Sequence, residues 1–95
     1  MPRLSSEDIR SALLSLPGWT LTPEGLRKQY HLHSYADAMA AITRVGFEAE
    51  AANHHPDIHL SWKRVTFTLA GQGGGAIGDK DLALARRIEA LLVRF

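Results

Sequence analysis

Apolar residues recur along this chain with helical spacing, then with strand spacing, and the alternation repeats. Ile9, Leu13 and Leu16 share one side of a short helix that opens at Ser5 or Ser6, carries Glu7 and Asp8 in its first turn, and ends at Pro17-Gly18. Trp19 to Leu21 and Leu26 to His33 bracket Thr22-Pro23-Glu24-Gly25, a tetrad suited to a type I turn, so a hairpin is predicted. In its second strand Leu26, Tyr30 and Leu32 alternate with Arg27, Gln29, His31 and His33, which buries one face and turns His31 and His33 toward solvent. Ser34, with Asp37 in its capping register, starts a second helix whose stripe is Tyr35, Ala38, Met39, Ile42, Val45, Gly46 and Ala49. Farther on, Ile58, Leu60 and Trp62 alternate, and Val65, Phe67 and Leu69 alternate in the opposite phase. A two-residue turn at Lys63-Arg64 would pair Trp62 with Val65 and put both apolar sets on one sheet face. The last helix starts near Asp79 and runs to the C-terminus on Leu84, Ala85, Ile88, Leu91, Leu92 and Phe95. The order α-β-β-α-β-β-α predicts an α+β fold, a four-stranded antiparallel sheet with helices packed on one face.

Composition narrows the functions open to such a fold. With 95 residues the chain supports one core, and a single domain spanning residues 1–95 is expected. The net charge is +1 and the eleven Lys and Arg residues are dispersed, so no basic face tracks phosphates and no nucleic acid is expected as a primary partner. The absence of cysteine excludes disulfides, thiolate metal sites and cysteine nucleophiles. No apolar run approaches a signal segment or a membrane span, from which a cytoplasmic location and no membrane association are expected.

The chemistry concentrates between Glu50 and Trp62, where the second helix runs into Asn53-His54-His55-Pro56. A helix that ends there aims unpaired carbonyls and a partial negative charge at the imidazoles, an arrangement suited to proton chemistry near neutral pH. Pro56 restricts His55 to extended backbone, so the two rings cannot share a direction. Glu50 lies one helical turn before His54, where it can orient that ring, and both fall on the flank of the apolar stripe, at the rim of a cleft. A plain histidine-capped helix end is the alternative. A metal site from His54, His55 and His59 is disfavoured, because strand alternation sends His59 opposite Ile58 and Leu60.

Gly71-Gln72-Gly73-Gly74-Gly75-Ala76 formally matches a dinucleotide fingerprint, but the following helix ends the chain without the further strand and acid that such a unit needs. The segment also lacks the lysine and hydroxyl of a phosphate loop, which leaves a backbone able to approach a flat ligand, or a plain connection. Asp81 projects onto the apolar stripe of the last helix. It reads either as a capping acid or as a carboxylate aimed at whatever the glycine segment and the His54 junction enclose.

Glu50-x-x-x-His54-His55-Pro56, then Trp62, a glycine-containing segment and Asp81, resembles the pterin-4a-carbinolamine dehydratases over nearly the whole chain, from Trp19-Thr20 to the Asp81-Leu82-Ala83-Leu84-Ala85 run. The resemblance departs at Gln72, where the family usually has a third histidine, and at Asn53, where many members have aspartate. It implies removal of water from a 4a-hydroxytetrahydropterin to give the quinonoid dihydropterin, within recycling of the cofactor of aromatic amino acid hydroxylases, with no metal or organic cofactor. His54 and His55 correspond to the family's catalytic histidines. Glu50, Pro56, Trp62, Gly71, Gln72, Gly73, Gly74 and Asp81 correspond to residues lining the pterin site. A homodimer or homotetramer is also implied, and the edges of so small a sheet point the same way. An amide such as Gln72 does not exchange protons at neutral pH, so the alternative is a catalytically weakened pterin-binding protein, or an assembly or regulatory protein on the same scaffold. Animal members of the family act as dimerisation cofactors for a homeodomain transcription factor, in keeping with that alternative.

Overall fold

The computed structural model describes residues 4–70 and 77–93. Gly71, Gln72, Gly73 and Gly74, and Phe95 of the last apolar stripe, lie outside them. The elements are α1 (Ser6–Leu13), β1 (Thr20–Thr22), β2 (Gly25–His31), α2 (Tyr35–Ala52), β3 (Asp57–Ser61), β4 (Arg64–Leu69) and α3 (Asp79–Leu92). The predicted order and the α+β class hold: the four strands form one antiparallel sheet in the order β1-β2-β4-β3. Because β4 lies between β2 and β3, α2 is a crossover connection spanning the sheet.

Local chemistry sets the helix boundaries. Ser5 is the cap of α1, its hydroxyl accepting from the Asp8 N–H while Asp8 accepts from the Ser5 N–H, and Ser34 accepts from the Asp37 N–H at the start of α2. The first helix stops at Leu13, short of the expected Pro17-Gly18, and Leu16 reaches the core from the turn that follows. Gly25, at φ 136°, stands where an added Cβ would meet the Leu69 carbonyl oxygen at 2.2 Å, so glycine is required where β2 meets β4.

One sheet face carries Leu26, Val65, Phe67 and Leu69, all fully buried beneath Ile9, Ala38, Ala41, Val45, Ala49, Ala85 and Ile88 of the three helices. Burying that much apolar surface is the main favourable term in folding. The other face carries Arg27, Gln29, His31, His59 and Arg64, all exposed. His31 and His33 face solvent as predicted. No helix among the described residues is long and apolar enough to cross a membrane.

Two expectations are corrected. The β3–β4 turn sits at Trp62-Lys63, not Lys63-Arg64, so Leu60 pairs with Val65 and Ile58 with Phe67. The register moves by two residues, which preserves the predicted shared face because side-chain direction repeats every second residue. Trp62 thereby leaves the strand for a left-handed turn position at φ 58° and is 72% exposed. The predicted stripe of α2 also divides: Ala38, Val45 and Ala49 enter the core, joined by Ala41 from outside the stripe, while Tyr35 and Met39 stay exposed, as does Phe47. Helical periodicity identifies apolar positions, but a single sheet covers only part of so broad a stripe.

A polar cluster absent from the sequence reading fastens α3 to the sheet. Oε1 of Glu89 accepts from Trp19 Nε1 at 3.1 Å and from both Lys28 Nζ and Tyr30 OH. Lys28 Nζ also donates to the Pro17 carbonyl at 2.6 Å and lies 4.6 Å from the centre of the Tyr30 ring. Burial pushes the Glu89 carboxyl up, but hydrogen bonds from Lys28 and Tyr30, the Lys28 charge and the Trp19 bond outweigh it and hold the group below its ordinary 4.5. Burial, then the bond and charge of Glu89, push the Tyr30 phenol well above its usual range.

A native carboxyl lowered in this way contributes stability above its unfolded value, and that contribution is lost as pH falls through the native one. Glu89→Gln is expected to cost about 1–3 kcal/mol near neutral pH, the usual range for hydrogen bonds to a charged group. The gap from the parent protein should narrow below pH 4.5. Urea denaturation across pH checks this, and a gap that stays constant into acid would refute it.

Candidate active site

The site begins with how α2 ends. Asn53 adopts the left-handed conformation (φ 52°, ψ 43°), which asparagine tolerates better than most residues. Its N–H bonds to the Glu50 carbonyl and the His54 N–H to the Ala49 carbonyl, the paired closure of a Schellman motif. This reversal carries His54 off the helical spiral, so the expected Glu50–His54 alignment does not form. Instead, Glu50 Oε1 meets His55 Nε2 at 2.7 Å on the surface, with side chains 77% and 59% exposed, and His54 turns inward. Glu50 is therefore on the open side of α2, not on the flank of its stripe.

His54 meets Asp81 of α3, Nε2 to Oδ1, at 2.5 Å, with side chains 12% and 2% exposed. The other carboxylate oxygen of Asp81 accepts the Gly78 N–H at 2.9 Å, which satisfies an unpaired donor at the start of α3. Asp81 therefore caps the helix, as the first of its two readings expects, and its remaining oxygen engages the His54 ring. A carboxylate only accepts, so Nε2 donates, and the neutral ring is held as the Nε2–H tautomer with Nδ1 left to exchange protons. Among the described residues Nδ1 takes part in no hydrogen bond.

A groove of about 280 Å³ opens beside His54. Ala52, Ala83 and Leu84 supply its apolar lining, and Glu48, Lys80 and Arg87 supply charge. Arg87 Nε donates to Glu48 Oε1 at 2.7 Å and ties α3 to α2. That bond holds the Glu48 carboxyl below its usual range and the Arg87 guanidinium above its own.

The expected site residues are therefore only partly assembled within one chain. His54 and Asp81 form a buried pair, His55 and Glu50 an exposed one, and Pro56 is half-buried between His55 and β3. Trp62 lies past the far end of β3, six residues and roughly 20 Å of extended chain from Pro56 at about 3.3 Å per residue. Gly71, Gln72, Gly73 and Gly74 fall outside the described residues. The groove-lining Glu48, Lys80 and Arg87 escaped the sequence reading, because nothing local marks a surface charge as lining a cleft. Among the described residues, no group of three or more His, Cys, Asp or Glu side chains is placed to hold a metal ion.

Asp81→Asn tests the tautomer assignment. The asparagine carbonyl would keep the Gly78 N–H and present its NH₂ to His54, so the ring should switch to Nδ1–H. Long-range ¹H–¹⁵N correlation spectra report the tautomer, and an unchanged Nε2–H form would count against the assignment.

Comparison with known proteins places this geometry among relatives. The profile of the pterin 4 alpha carbinolamine dehydratase family matches residues 2–91. A protein of Mycobacteroides abscessus, provisionally named a pterin-4-alpha-carbinolamine dehydratase, is 40% identical over 94 residues, 99% of this chain and 100% of the relative. A similarly named protein of Roseiflexus sp. strain RS-1 is 40% identical over 95% of this chain and 97% of its own length. Among solved structures, a transcriptional coactivator/pterin dehydratase from Brucella melitensis superposes with a TM-score of 0.89 at 25% identity, covering 95% of this chain and 98% of that one. A pterin dehydratase-like protein identified as a RuBisCO assembly factor in the alpha-carboxysome superposes with a TM-score of 0.65 at 27% identity, over 77% of this chain and 84% of that one.

Proposed function

The chain belongs to the pterin 4 alpha carbinolamine dehydratase family, and on that premise we propose that it dehydrates a 4a-hydroxytetrahydropterin by acid–base catalysis. The observation that carries the reading is the His54–Asp81 pair, a histidine with one nitrogen committed to a buried carboxylate and the other left for proton transfer. In the reaction the C4a–O bond breaks and its electron pair leaves with the oxygen, which gains a proton to become water. The N5 proton is removed and the C4a=N5 double bond forms, so no net proton is consumed. His54 is assigned to the reacting centre and His55, steadied by Glu50, to binding and polarising the ring. Pro56, Trp62, Asp81 and the segment Gly71, Gln72, Gly73, Gly74 are assigned to the pterin site.

The second reading is a binding or assembly protein on this scaffold. It is favoured by Gln72, which cannot exchange protons at neutral pH, and by the likeness to the RuBisCO assembly factor. One series of variants separates the two. His54→Ala should lower turnover of chemically generated 4a-hydroxytetrahydropterin by about 10²- to 10⁴-fold, the range for one positioned acid or base, with His31→Ala and His33→Ala near the parent rate. Gln72→His should raise turnover by no more than that same factor. Equal rates in all three alanine variants would remove His54 from the site, and pterin binding without turnover in the parent and in Gln72→His would favour the second reading.

We also propose that the chain forms a homo-oligomer. Gly46 lies within the 18-residue α2, and a Cβ there would meet nothing within 4 Å. Glycine in a helix interior costs about 1 kcal/mol relative to alanine, and close approach by a second copy along the exposed Tyr35, Met39 and Phe47 would repay it. The edge strand β3 offers a second contact. Antiparallel pairing of two β3 strands about a two-fold axis at His59 would bring Trp62 of one copy to Pro56 of the other. Sedimentation should return a multiple of the 10.5 kDa chain mass at micromolar concentration; a lone 10.5 kDa species would rule the assembly out.

A further inference from the structure

We infer that the groove beside His54 is a subsite for an anionic group carried on the side arm of the pterin, with Lys80 as its counter-ion. This rests on the pterin reading above and extends it to a substrate class.

The groove holds a charge that its own residues leave unneutralised. Of the residues that line it, Glu48 and Arg87 are committed to each other at 2.7 Å. The nearby carboxylate of Asp81 is committed to His54 and to the Gly78 N–H. Lys80 enters none of the ion pairs among the described residues, so the groove keeps one positive charge. Its apolar surface, from Ala52, Ala83 and Leu84, adjoins His54. Against that apolar surface the hydroxyls of a polyol arm would lose hydration without gaining hydrogen bonds. An arm that is apolar near the ring and anionic at its end would cover the apolar lining and place its charge at Lys80. The volume of about 280 Å³ is close to the lower bound of roughly 300 Å³ for small-molecule pockets, room for an arm in addition to ring contacts made outside it. Lysine suits this task as a mobile point charge able to meet a carboxylate or a phosphate.

Three stable dihydropterins separate the cases when titrated calorimetrically into the full chain. 7,8-Dihydroneopterin has a neutral arm, its monophosphate a short phosphorylated arm, and 7,8-dihydrofolate a carboxylated arm with an apolar linker. Dihydrofolate is expected to bind more tightly than dihydroneopterin at low salt, with about 2- to 5-fold of the difference coming from its charge, as one partly exposed ion pair allows. High salt or Lys80→Gln should remove the charge-dependent share of that preference and leave the share due to the apolar linker, and Lys80→Arg should keep both. If the monophosphate shows the Lys80-dependent preference instead, the anion is a phosphate on a short arm and the subsite stands. Equal affinity for all three, or a preference that Lys80→Gln leaves undiminished, overturns the subsite and leaves the dehydratase reading in place. Failure of all three to bind overturns both.

Discussion

A carboxylate with almost no solvent exposure cannot stand alone inside a protein, and Asp81 meets that demand with partners from two directions. Leaving such a charge unpaired would cost several kcal/mol, so the His54 ring and the Gly78 N–H are requirements of folding as much as features of a site. The consequence for function is direct. The end of α2 and the start of α3 are held at one separation, and the histidine between them is held in one tautomer. Any chemistry at His54 therefore takes place on a group whose position is fixed by the two longest helices.

The α3 helix carries two acid-centred clusters. Asp81 at its first turn fixes α2 through His54, while Glu89 near its last turn gathers Trp19, Lys28 and Tyr30 from the sheet side. Between them Leu82, Leu84, Ala85 and Ile88 fill the core. Apolar burial supplies most of the stabilisation and is indifferent to direction. The polar clusters contribute direction, since each has one geometry in which all its donors are met. A helix held only by its apolar stripe could slide along the sheet; one held at both ends by shared carboxylates cannot do so without breaking hydrogen bonds.

Much of the fold was legible from local pattern. The two serine caps, the alternation in β2 and β4 and the helical run to Ala49 each follow from chemistry within a few residues, and the structure places them as read. The site was legible in its residues but not in its pairings. Glu50 and His54 stand one helical turn apart in sequence, and the inference that they meet assumed a helix that continues. Asn53 breaks that assumption by one backbone rotation, and the pairs exchange, Glu50 to His55 and His54 to Asp81.

The sequence by itself determined the order of elements, the face each strand buries and the concentration of acid–base residues at the end of α2, because periodicity and capping are properties of neighbours along the chain. Tertiary structure alone decided which carboxylate meets which histidine, which half of the α2 stripe is covered, and that Lys28 on the core face of β2 is answered by Glu89, distant in the chain. It also decided the β3–β4 register, for a shift of two residues leaves every side chain on its own face and is invisible to alternation. These outcomes depend on distances across the fold, and a local pattern carries no record of what another element brings to meet it.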